Sequence, residues 1–232
     1  GHLTDQAIIE TLSPLPVDIH WSPDTTHDEH PNAMEFVAFD ADAAELGRWR
    51  VYSIGGGDLR DDAGPLTDTA GAPVYPAHTF LECVEWSQAN DRPLFEYVET
   101  FDDDAVWPIL SDAWETMKLA VQRGLSAGDA ALPGRLKLKR RAATMLACAN
   151  DRVGSMRDRN LLSAYALAVA EENASGGAIV TAPTCGSCGV VPGVLYYFWK
   201  HLNLSDKHMV RALAVAGLIG QDVAERASIS GA

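Results

Sequence analysis

Basic residues are scarce in this 232-residue chain: 18 lysines and arginines face 32 aspartates and glutamates, a formal net charge of −14. That imbalance excludes most nucleic-acid partners, whose phosphates attract basic patches. Cysteines number only four, too few for a disulfide scaffold and suited to a reducing cytosol. No apolar run reaches the roughly 18 residues that a membrane span requires, and no signal-like n-region and h-region are legible. Repeats and low-complexity segments are lacking too. What is present is a 47% hydrophobic sequence, able to bury a sizeable core and expected to be a soluble α+β protein in two parts.

The first part carries the strand signals. Residues 34–39 and 48–54 are β-rich runs joined by a polar Asp/Ala-rich segment, which predicts a hairpin. Residues 1–60 are therefore expected to form a small, partial α/β domain. Residues 58–76, rich in Gly, Pro, Asp and Thr, read as exposed connecting chain, with the linker itself at 61–76. From His78 the helical period dominates, so residues 77–232 are expected to be mainly α-helical. Helices are predicted around Phe80, Val84 and Trp86, then at 106–125, 140–149, 161–171, 190–201 and 206–225, with Ser205 as N-cap of the last.

Chemistry concentrates in Thr181-Ala182-Pro183-Thr184-Cys185-Gly186-Ser187-Cys188-Gly189, where two thiols and several small residues lie at the entry to an apolar helix. A helix N-terminus favours thiolate, the form that binds metal or attacks carbon. Gly186 and Gly189 would let backbone approach an anion, and Thr184 and Ser187 add hydroxyl donors, so the loop reads as a carboxylate nest. The C-x-x-C spacing alone also fits a redox pair, half a zinc site or two idle thiols. A second C-x-x-C and a thioredoxin-like βαβ context are both missing. Cys83 and Cys148, in helical apolar surroundings, read as buried hydrophobes. Gly55-Gly56-Gly57 is followed by no Lys-Ser/Thr, so it is a poor phosphate loop.

The wording of the motif says more than its spacing. Glu171-Glu172-Asn173-Ala174-Ser175-Gly176-Gly177, followed by TAPTCGSCGVVPGVLYY, resembles the α region of the iron–sulfur L-serine dehydratases, also called L-serine ammonia-lyases. Residues 132–141, LPGRLKLKRR, resemble that family's LPGGLKVKRR segment. His30-Pro31-Asn32-Ala33-Met34 and Tyr52-Ser53-Ile54-Gly55-Gly56-Gly57 resemble its β region, Gly1-His2-Leu3-Thr4-Asp5 its GHGTD segment, and residues 227–232 the run before two further cluster cysteines.

The resemblance implies a lyase of amino-acid catabolism, feeding gluconeogenesis, that converts L-serine to pyruvate and ammonia. It implies a [4Fe-4S] cluster acting as Lewis acid on the substrate hydroxyl, without pyridoxal phosphate. Cys188 aligns with the first cluster ligand and Cys185 is the weaker candidate. It further implies that the other two ligands lie past Ala232 and that this chain is a piece of a longer protein, a partial β-type domain before a truncated α-type catalytic domain, able to be inactive alone. His2, Asp5 and Lys137 become candidate catalytic groups; Asn32, Thr184, Gly186 and Ser187 become candidate substrate contacts. Against these stand plainer readings: a frayed terminus for His2, a turn for Asn32, a solvated basic face for Lys137 and Lys139. A cytoplasmic homodimer is expected, with no nucleic acid and no membrane as partner. A related lyase such as a cysteine desulfidase, or a non-catalytic amino-acid-binding or assembly module, are the competing functions.

Overall fold

The computed structural model describes residues 4–55, 58–66, 74–128, 130–134, 136–181 and 188–226. A short helix, α1 (Thr4–Leu12), precedes four strands, β1 (Ala33–Phe39), β2 (Glu45–Gly55), β3 (Asp58–Asp61) and β4 (Gly64–Pro65). Seven helices follow: α2 (Phe80–Asn90), α3 (Phe95–Phe101), α4 (Val106–Ser126), α5 (Ala142–Asn150), α6 (Gly154–Ala174), α7 (Val190–His201) and α8 (Asp206–Arg226). The α+β class expected from the sequence is the class observed.

The strands form one antiparallel sheet in the order β1-β2-β3-β4. The expected hairpin is its first pair, with Phe36 opposite Trp49 and Glu35 opposite Arg50. The sheet extends further than the sequence reading allowed, because residues 58–65 supply β3 and β4 instead of beginning an exposed connection. Tyr52 explains the extra strands: it is buried in β2, and its hydroxyl donates to Asp62 in the β3–β4 turn at 2.8 Å.

Helix α6 is the axis of the helical body, packing against α4, α5 and α7. Its sequence has no single polar stripe, as befits a helix contacted on several sides. Leu161, Tyr165 and Val169 from α6 join Trp114, Val121 and Leu195 in the main core, each such side chain worth about 1.5–3 kcal/mol when fully buried. The helix starts at Gly154, seven residues before its expected start. A smaller core gathers Cys83, Tyr97, Val98, Ala214 and Leu218 between α2, α3 and α8.

Local signals set several helix ends. Thr79 and Glu82 form a reciprocal capping box at α2. At the C-terminus of α6, Gly176 (φ 77) turns the chain. Its N–H donates to the Asn173 carbonyl at 3.3 Å, and the Gly177 N–H to that of Glu172 at 2.8 Å. These two bonds make a Schellman cap, which is what the Gly-Gly pair provides. Ser205 does precede α8, but its hydroxyl pairs with His208 Nδ1 at 2.7 Å. Among the described residues no helix is long and apolar enough to cross a membrane.

Candidate active site

Cys188 lies in the turn that opens α7, two residues before Val190, and is 4% exposed. The chain can be so tightly placed there because α7 meets α6 at glycines. A Cβ on Gly189 would lie 2.2 Å from the Ala166 carbonyl oxygen, and one on Gly193 would lie 2.8 Å from the Ala166 nitrogen. This corrects one expectation: the space beside Gly189 is filled by α6 backbone, so that glycine serves helix contact and not approach to an anion. Gly124 does the same for α4, its Cβ position being 2.2 Å from the Ala168 oxygen.

Gly189, next to Cys188 in the chain, lines an open groove of about 430 Å³ between α5, α6 and the start of α7. Met145, Ala166 and Leu167 make its walls apolar, while Ser163 and Arg141 add a hydroxyl and a cation. A small ligand seated there would lie near the positive end of the α7 dipole, which favours bound negative charge. Beside Ala166 on α6, the Tyr165 hydroxyl meets Nε2 of His201, the last residue of α7, at 2.8 Å. Burial pushes the Tyr165 hydroxyl up to about 12, so it stays protonated. Burial, with Arg157 and Lys200 nearby, holds His201 below its ordinary value.

The cysteines divide clearly. Cys83 is buried in the smaller core, where desolvation raises its pKa, as expected of a thiol used as a hydrophobe. Cys148 contradicts that expectation: it is exposed on α5, because the buried side of that helix is taken by residues such as Ala142 and Ala149. Among the described residues no three His, Cys, Asp or Glu side chains converge as a metal site. A cluster held by three thiolates would need more ligands than Cys188 and its described neighbours supply.

The remaining candidates are dispersed. His2, Thr184, Cys185, Gly186 and Ser187 lie outside the described residues. Asp5 sits in the first turn of α1. Asn32 is exposed at the head of β1, its carbonyl accepting the Ser53 N–H at 3.0 Å. Lys137 is exposed at φ 47 in the small loop closed by the Ala131–Lys139 bridge.

Sequence reasoning passed over a group that the fold does assemble. Glu171 and Glu172, at the end of α6, are both buried. Arg123 Nε donates to Glu172 Oε2 at 3.0 Å, and Glu171 Oε1 accepts the Arg141 N–H at 2.5 Å. Two adjacent acids after the apolar run 164–170 of α6 were the available signal, since buried carboxylates require partners.

Residues 26–232 match the family model described as serine dehydratase alpha chain. An L-serine dehydratase of Haemophilus influenzae is 35% identical over 215 residues, covering 88% of this chain and 47% of the relative. One from Streptomyces coelicolor is 35% identical over 219 residues, with the same shares. One from Mycobacterium bovis is 32% identical over 235 residues, covering 95% of this chain and 50% of the relative. The chain spans about half the length of the curated relatives it matches. It belongs to the serine dehydratase alpha chain family.

Proposed function

We propose that the protein carrying this chain dehydrates L-serine to pyruvate and ammonia, with Cys188 as one thiolate ligand of a [4Fe-4S] cluster. The observation that carries this reading is the buried Cys188 at the opening of α7, beside a groove large enough for a small amino acid. The names of the relatives support the substrate. When bound, such a cluster supplies a Lewis acid that helps a hydroxyl leave.

The chain's own residues have the other tasks. The N-terminal end of α7 favours both thiolate and substrate carboxylate. Thr184, Gly186 and Ser187 receive that carboxylate, and Asn32 orients the substrate. His2, Asp5 and Lys137 are the groups assigned to proton transfer at Cα and at the departing oxygen. Loss of the proton and hydroxide leaves aminoacrylate, which tautomerises and hydrolyses to pyruvate and ammonia. In the same reading residues 1–60 and 77–232 are a β-type and an α-type domain joined through 61–76, in a cytoplasmic homodimer.

The test is purification of the full-length protein without oxygen. Brown iron–sulfur absorbance and pyruvate release from L-serine are expected, and both should vanish in Cys188→Ser while Cys185→Ser largely keeps them. L-Threonine should react weakly, its methyl costing about 1–3 kcal/mol in an apolar-walled pocket. Serine turnover that survives air and iron chelation would remove the iron–sulfur mechanism. Sulfide release from L-cysteine with L-serine inert would make the protein a desulfidase.

A further inference from the structure

Three parts of the chain meet around the turn that ends α6. From the end of α4, Arg123 donates through Nε to Glu172 Oε2 at 3.0 Å and through Nη2 to the Ala178 carbonyl at 2.5 Å. From just ahead of α5, Arg140 donates through Nη2 to Ser175 Oγ at 2.7 Å. The Ser175 hydroxyl in turn donates to the Glu171 carbonyl at 2.8 Å. Glu171 Oε1 accepts the N–H groups of Arg141 and Ala142 at 2.5 and 3.2 Å, which fastens the start of α5. Gly177 fits against this group only because it lacks a side chain: a Cβ there would stand 2.5 Å from Glu172 Oε2.

Stability alone is a poor reason for such a cluster, since apolar residues of equal volume often serve as well or better than buried ion pairs. It is also incompletely satisfied. Arg140 Nε and Nη1 and Glu171 Oε2 are buried without a hydrogen-bond partner, Nη1 lying 3.9 Å from Glu172 Oε1, and unmet groups of this kind call for a reason other than stability. The cluster places the run 177–180. Arg123 holds that run at Ala178, the Schellman bond holds it at Gly177, and Ile179 and Val180 then pack on the main core that also contains Cys188.

We propose that Arg123, Arg140, Glu171 and Glu172 are positioning residues that fix residues 177–180 against the core that holds Cys188; their role in serine dehydration rests on the function proposed above. One guanidinium bridging a side chain and a backbone carbonyl is the central part. Lysine cannot reproduce it, because its ammonium is a single point donor and not a planar fork.

The proposal is tested by cysteine alkylation in the metal-free full-length protein, using iodoacetamide and mass-spectrometric mapping. Cys188 and Cys83 are both buried, in different cores, so Cys83 reports global opening and Cys188 reports the local clamp. Arg123→Ala and Glu172→Gln should speed alkylation of Cys188 about tenfold or more with Cys83 unchanged, as expected of local opening. Arg123→Lys should fall between, and millimolar guanidinium should slow Cys188 again in Arg123→Ala. Arg140→Gln should act in the same direction, more weakly. Equal acceleration of both cysteines, or of neither, would overturn the proposal. An intact protein without iron or serine turnover would instead sink the dehydratase reading, and the alkylation ratio would still decide the clamp.

Discussion

In the sheet, Glu35 lies across Arg48 and Arg50 at the surface, and Trp49 on the neighbouring strand is half exposed. In the helical body, Glu172 is buried between Arg123, whose own side chain stays 42% exposed, and the largely buried Arg140. Glu171 accepts backbone N–H groups at the start of α5, and α6 touches α4 and α7 closely enough to exclude a methyl group. The same kinds of residue thus have different consequences. Exposed ion pairs are screened and contribute little, whereas buried ones and backbone contacts fix geometry. Glycine shows the contrast most directly: Gly47 in β2 has open space around its absent Cβ, and Gly189 has none.

The largest expected effect therefore comes from adding one carbon. Gly189→Ala or Gly124→Ala should destabilise the helical body by about 3 kcal/mol, because α6 backbone must move away. Gly47→Ala should change stability by no more than about 0.5 kcal/mol. Thermal melts of the three variants measure this, and a Gly189→Ala protein as stable as the parent would erase the contrast.

Next comes Trp114→Phe. Trp114 Nε1 donates to Asp206 Oδ1 at 2.7 Å, tying α4 to the start of α8, while Lys118 lies over both the Trp114 and Trp199 rings. Losing a hydrogen bond to a charged acceptor, with some packing, should cost about 2 kcal/mol. Denaturant midpoints at constant slope would show it.

Acid should loosen the helical body by a smaller amount. His201 has a native pKa below its unfolded value, chiefly through burial. The unfolded chain then takes up that proton first, so stability declines as pH falls below about 6.5. Asp206, lowered mainly by the Trp114 hydrogen bond, adds stability that disappears at still lower pH, as its depressed value is crossed. Melting temperature against pH should thus fall in two steps, and His201→Gln should flatten the upper one. The smallest change is expected from Arg48→Ala, whose exposed pairs with Glu35 and Glu45 should leave the melting temperature within measurement scatter.

How much of this was legible in the sequence differs by element. The hairpin and the long helices announce themselves through period and strand-forming residues, and α7 runs between its expected ends, residues 190 and 201. Helix α3 was missed because seven residues give too little periodicity; burial of Tyr97 and Val98 against α8 sustains it. β3 and β4 were hidden by turn-forming residues, and the long-range bond from Tyr52 to Asp62 carries no local trace. At the candidate site the Cys188 motif was visible, whereas the charged cluster at the end of α6 was not.

By itself the sequence determined the α+β composition, the family motifs and the position of Cys188 at a helix start, because each depends on residues close together in the chain. Only tertiary structure decided that Gly189 makes room for Ala166, that Cys148 faces outward, and that Arg123 reaches Glu172 and Ala178 across about fifty residues. The reason is physical: spacing along the chain fixes which residues share a helix face. How closely two helices approach, and which charges they trap between them, is fixed by packing among residues distant in sequence.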